Sequence, residues 1–152
     1  MALVAAAIGP AGPEAPAPAG DAFWQPFDRA RIAELVADGK TVFVDVTAQW
    51  CLTCQVNKRL VLDRAPVRDA LGAPGTVAMV ADWTRPDPII AAYLESYGRY
   101  GIPFNAVYGP SAPQGIVLPE LLTPGDVLSA MTRARGSGSG AGVASQSPPP
   151  GG

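Results

Sequence analysis

Thr41-Val42-Phe43-Val44-Asp45-Val46-Thr47, then Ala48-Gln49-Trp50, then Cys51-Leu52-Thr53-Cys54: this stretch decides how the rest of the chain is read. Residues 41–47 are β-branched and almost continuously apolar, the pattern of a strand buried on both faces of a parallel sheet. Residues from Cys51 to about Leu62 read as a helix. The first cysteine therefore sits in the first turn of a helix that follows a buried strand. There the helix dipole and the unpaired N–H groups favour a thiolate, the reactive form of the side chain. Cys54 lies one turn along the same face, where it can attack a mixed disulfide formed at Cys51.

The rest of the composition narrows what this pair can do. The chain of 152 residues has two cysteines and no histidine. Zinc would need two further ligands that neither residue type supplies. Covalent haem attachment needs a histidine directly after the second cysteine, where Gln55 stands. A structural disulfide closing so short a loop adds little, because the entropic gain is smallest for short loops. Two inert core cysteines are the remaining alternative, and they do not explain the strand–turn–helix placement. Without histidine there is no Ser-His or Cys-His nucleophile pair and no imidazole base. Net charge is −2 and no Lys/Arg cluster is present, so nothing points to nucleic acid as a partner.

Apolar residues make up 48% and charged residues 16%, enough for a core. The 17 glycines and 17 prolines concentrate at the ends. Residues 1–20 and 136–152 are low-complexity and nearly uncharged, and are read as a linker or stub and a Gly/Ser/Pro tail. The folded unit is placed at 21–135. Met1 to Ile8 are apolar but too few to span a bilayer, which takes about 20 residues. They fit either a weak export signal or the stub of an upstream membrane helix.

Outward from the cysteines, Asp28 is an N-cap for a helix over 29–38 that stops at Gly39. Asp63 to Leu71 suggests a short helix, and 76–81 a second buried strand. A helix opened by Pro86 and Pro88 carries Ile89, Ile90 and Leu94. Residues 103–108 form a third strand, and 116–118 a short fourth. Thr123-Pro124 starts a last helix ending near Arg135. This order predicts an α/β fold with a central mixed sheet, mostly parallel with a C-terminal antiparallel hairpin, flanked by helices on both faces.

Val44 to Cys54, followed by Gly101-Ile102-Pro103, resembles the thioredoxin superfamily. Within it, three segments resemble the C-terminal domain of the DsbD-type transmembrane thiol:disulfide interchange proteins and their copper-tolerance relatives. They are Trp50-Cys51-Leu52-Thr53-Cys54-Gln55-Val56-Asn57-Lys58, Ala81-Asp82-Trp83-Thr84 and Val117-Leu118-Pro119-Glu120-Leu121-Leu122-Thr123. The resemblance implies a monomeric domain on the periplasmic side of the bacterial inner membrane. Its partners would be protein thiols and disulfides: a membrane-domain dithiol upstream and a periplasmic thiol domain downstream. Contact with the membrane would run only through a missing upstream segment, and no cofactor is needed beyond the redox-active Cys51–Cys54 pair. A free-standing reductase, with a cytoplasmic location, and a redox-inactive peptide-binding module are the other readings.

Carried over by residue, Cys51 is the nucleophile, Cys54 the resolving thiol, and Pro103 a cis-proline facing the disulfide. Independently, an X-Pro bond at a strand start beside Gly101 is a cis candidate, the alternative being an ordinary trans bond. A cis bond there leaves the Ile102 backbone free to pair with an extended substrate. Asp45 is a carboxylate inside an apolar strand. Burial raises a carboxyl pKa, so it could exchange protons with Cys54; the alternative is a carboxylate satisfied by backbone donors. Trp50 shields the sulfurs and shapes the partner surface, or is plain core. Family members often carry an acidic residue where this chain has Lys58, whose charge favours thiolate if it faces the site and does nothing if it faces solvent.

Overall fold

The computed structural model describes residues 22–136. Eleven elements follow one another: β1 (Trp24–Pro26), α1 (Arg29–Ala37), β2 (Thr41–Thr47), α2 (Leu52–Asn57), a π-helical turn (Lys58–Leu62), α3 (Val67–Leu71), β3 (Thr76–Asp82), α4 (Pro88–Glu95), β4 (Phe104–Gly109), β5 (Ala112–Val117) and α5 (Pro124–Arg135). The two low-complexity ends, residues 1–20 and nearly all of 136–152, lie outside the described residues.

The sheet order is β1-β3-β2-β4-β5. β1 and β2 both run parallel to β3, while β4 runs antiparallel to both β2 and β5. The expected mixed α/β sheet is therefore present, with parallel and antiparallel ladders in equal number. One strand was missed: Trp24-Gln25-Pro26 is too short for a period to show, and its proline is tolerated only because the strand lies at an edge. The last strand begins at Ala112, earlier than the apolar run 116–118 suggests, because Pro113 and Gly115 obscure its first half.

Side chains alternate across β2, and each face has its own core. Val42, Val44 and Val46 join Ile32, Ile90, Tyr93 and Leu94 beneath α1 and α4. Phe43 faces the other way, onto Val61, Leu62, Val67, Val127 and Met131 of the π turn, α3 and α5. By the same alternation Asp45 shares the Phe43 face, the side covered by the π turn, α3 and α5.

Capping chemistry sets the helix starts. Asp28 Oδ1 accepts the N–H groups of Ala30 and Arg31 at 3.1 and 3.4 Å. Asp87 does the same for α4, with Pro88 rather than Pro86 at the first helical position. Gly39, at φ 83°, closes α1 in a conformation that L side chains rarely adopt.

Topology then brings the sequence motifs together. The cysteines follow the C-terminal end of β2. Because β4 is antiparallel to β2, Phe104 pairs with Val46, and the residues just before β4 lie at that same end of the sheet.

Candidate active site

Cys51 and Cys54 form a disulfide with Cα atoms 5.3 Å apart. Cys51 is the N-cap of α2, and its sulfur accepts the N–H of Cys54 at 3.2 Å. Residues with β-branched backbone preference end at Thr47, and an extended Cys51 at φ −87°, ψ 100° hands the chain to the helix. This puts Cys51 Sγ at the positive end of the helix, where a thiolate is favoured. Cys54 is 3% exposed against 7% for Cys51, so both sulfurs are shielded and Cys51 is the one nearer the surface.

Ile102 packs against the small buried cluster of Ala48, Cys51 and Cys54. The Ile102–Pro103 bond is cis, as the sequence suggested, and Ala65–Pro66 is a second cis bond that it did not. Trp50 is not core: the residue is 62% exposed and its Nε1–H donates to the Thr84 carbonyl at 3.2 Å. Together with Ile102 it borders a groove of about 680 Å³ at the disulfide end of the sheet. Leu52 and Tyr100, both 79% exposed, add apolar surface there.

Asp45 is 8% exposed and sits opposite Asn105 in the β2–β4 ladder. Asn105 Nδ2 donates to Asp45 Oδ1 at 2.7 Å. Burial pushes the carboxyl from its ordinary 3.8 up to about 6; the Asn105 bond and the nearby Lys58 charge pull it down, and Asp63 pushes it up. Lys58 faces Asp45: it lines a cavity of about 150 Å³ with Asp45, Thr47, Trp24 and Val80. Its Nζ also lies 3.2 Å from Asp63 Oδ1.

Sequence reasoning missed three residues. Asn105 showed the same signal as Asp45, a polar residue inside an apolar strand, but only the ladder register relates the two. Asn57, 2% exposed, donates from Nδ2 to the Glu120 carbonyl at 2.7 Å and accepts the Leu122 N–H at 3.0 Å, tying the loop after β5 to α2. Thr84 meets both Gln49 and Trp50, a contact between distant segments that no local pattern announces.

Among the described residues no group of three or more His, Cys, Asp or Glu side chains is placed to hold a metal ion. Nor is any helix among them long and apolar enough to cross a membrane.

No curated protein matches the chain by sequence. Solved structures do match by shape. The reduced DsbD C-terminal domain of Neisseria meningitidis superposes with a TM-score of 0.55 at 20% identity, covering 70% of this chain and 92% of that one. A thioredoxin from Thermus thermophilus gives 0.53 at 22% identity, over 71% and 82%. Trxlp from Edwardsiella tarda gives 0.53 at 18%, over 72% and 99%. At these identities the likeness establishes a shared fold. The thioredoxin-like family model matches residues 23–110, more than half of the sequence, and spans both cysteines and Pro103. A Cys-x-x-Cys disulfide in that fold supports thiol–disulfide oxidoreductase activity in general, and the chain belongs to the thioredoxin-like family.

Proposed function

We propose that this chain passes reducing equivalents through the Cys51/Cys54 pair to disulfides of partner proteins, as the periplasmic C-terminal relay of a DsbD-type transmembrane protein. The observation that carries the chemistry is the Cys51–Cys54 disulfide at the head of α2, with Ile102 packed against the cluster that the two cysteines form with Ala48. What supports the relay is the motif resemblance of residues 50–58, 81–84 and 117–123.

In the reduced form, the Cys51 thiolate attacks one sulfur of a partner disulfide, and the partner's other sulfur leaves as a thiolate and takes a proton. Cys54 then loses its proton and attacks Cys51 Sγ. The Cys51–Cys54 disulfide forms, the mixed disulfide breaks, and the partner's second thiolate is released and protonated. Two electrons and two protons have passed to the partner. Asp45 is the proton acceptor for Cys54 in this scheme. A carboxyl pushed up to about 6 takes and returns a proton near neutral pH far more readily than an ordinary aspartate. Trp50, Ile102 and Pro103 form the surface on which the partner segment docks. The sulfurs carry the reducing equivalents, so no further cofactor enters. A dithiol of the membrane domain would reduce the pair again.

The test is reduction of insulin disulfides by the chain, with dithiothreitol as the electron source. Wild type should accelerate it, and Cys51→Ala should bring the rate down to dithiothreitol alone. A Cys51→Ala chain working at the wild-type rate would overturn the reading. A free-standing reductase shares this chemistry. Genomic sequence separates the two: a reading frame with several membrane spans running into Met1 supports the relay, and its absence supports the free-standing form.

A further inference from the structure

Trp50 is largely exposed, yet its ring is held. Its Nε1–H donates to the Thr84 carbonyl at 3.2 Å, and one residue earlier the Gln49 N–H donates to Thr84 Oγ1 at 3.0 Å. The Thr84 hydroxyl has a single proton, which goes to Asp82 Oδ1 at 2.5 Å. The same carboxylate oxygen accepts the Thr84 N–H at 2.9 Å. Between them, the Trp83 N–H donates to the Thr47 carbonyl at 2.7 Å. Asp82, Trp83 and Thr84, at the end of β3, are thus stitched to Thr47, Gln49 and Trp50, the segment that runs into Cys51.

Asp82 sets the direction of this strap. A hydroxyl has one proton to donate and two lone pairs to accept with, so once its proton is committed to the carboxylate a lone pair is left for the Gln49 N–H. These bonds from Thr84 also hold the Asp82 carboxyl below the usual carboxylate range. Thr84 lines the groove of about 680 Å³ with Trp50 and Trp83, while Gly101 and Ile102 line it too. None of the strap's hydrogen bonds ends on either cysteine.

We propose that Thr84, oriented by Asp82, is a positioning residue for partner binding, holding the Trp50 side of the groove so that a partner's disulfide-bearing segment can lie beside Cys51. This rests on the reading of the chain as a thiol–disulfide oxidoreductase. Because the strap acts on the groove and not on the sulfurs, it governs partner affinity and leaves the thiol–disulfide equilibrium of the pair alone.

The test compares wild type, Thr84→Val, Thr84→Ser and Asp82→Asn in the full chain. Each is assayed for insulin reduction over a range of insulin concentrations, and for its redox equilibrium against glutathione. Valine keeps the shape and removes the hydroxyl; serine keeps the hydroxyl. Thr84→Val should raise KM for insulin by about 3- to 10-fold, the worth of one to two lost hydrogen bonds, and by more than it lowers kcat. Thr84→Ser should stay near wild type, Asp82→Asn should fall between, and the glutathione equilibrium of all four should coincide. An unchanged KM in Thr84→Val with an active wild type overturns this proposal alone. So does an equal loss in Thr84→Ser, or a glutathione equilibrium that moves in step with KM. A wild-type chain that does not reduce insulin overturns the oxidoreductase reading, and the proposal with it.

Discussion

Burial removes most of the water that would solvate an ionised Asp45, while the Asn105 amide and the Lys58 ammonium return part of that stabilisation. The folded carboxyl binds its proton more tightly than the unfolded one, at about 6 against 3.8. Its contribution to stability is therefore complete below the unfolded value and is lost as pH rises through the folded one. The difference of about two units corresponds to ~3 kcal/mol. Asp45→Asn should accordingly be more stable than wild type above that window, by up to ~3 kcal/mol in urea unfolding of the oxidised chain, and should match it in acid. Parallel stability profiles at all pH would contradict the burial argument. Lys58→Met and Asn105→Leu each remove a group that favours the charged form. Both should move the Asp45 midpoint upward, as read from its carboxyl carbon by NMR; an unmoved midpoint would rule out the assigned cause. Asp45 was legible because a carboxylate stands out in an apolar strand. Whether Lys58 faced it was not legible, since that depends on the pitch of the helix carrying it.

That pitch changes within a single continuous run. After α2 the chain takes a π turn, in which the Asp63 N–H donates five residues back to the Lys58 carbonyl at 2.8 Å. The extra residue per turn brings Val61 and Leu62 into the core while Lys58 lines the Asp45 cavity. The sequence 51–62 reads as one helix because apolar spacing cannot mark so local a change of pitch. The caps at Asp28 and Thr123 were legible, since their chemistry is confined to neighbouring residues. The short edge strand β1 was not, because its pairing with β3 is a long-range contact. α2 also depends on a long-range tie, the Asn57 amide bonded to the loop before α5. Asn57→Ala removes both bonds and leaves the buried Leu122 N–H and the part-buried Glu120 carbonyl without their partner, at a cost of about 1–3 kcal/mol in denaturant unfolding. A loss below about 0.5 kcal/mol would show the loop to be held by Leu122 packing alone. Gly109 is a similar junction: a Cβ there would collide with the Ala134 carbonyl of α5. Gly109→Ala should cost about 1–3 kcal/mol in the same assay. Unchanged stability would mean that α5 can shift away freely.

Across the whole molecule, one end of the sheet gathers the two cysteines, the Ile102–Pro103 segment and the Asp82–Thr84 strap. β2 delivers the cysteines, β3 delivers the Asp82–Thr84 strap, and both run parallel, so both deliver at their C-terminal ends. The antiparallel β4 brings Ile102 and Pro103 to the same end from the opposite direction. Alternating buried strands and helices made the fold class readable, because that order allows few sheet arrangements. The convergence of Cys51, Ile102 and Thr84 was not readable, because it depends on strand order and register. In the proposed cycle Cys51 makes the covalent bond to the partner and Cys54 releases it. The most direct measurement is trapping on insulin: reduced Cys54→Ser and reduced Cys51→Ser chains are mixed with oxidised insulin and examined by mass spectrometry without reductant. The expected result is a Cys51–insulin mixed disulfide that accumulates in Cys54→Ser and is absent from Cys51→Ser. An equal adduct from Cys51→Ser, or no adduct from either variant, would contradict it.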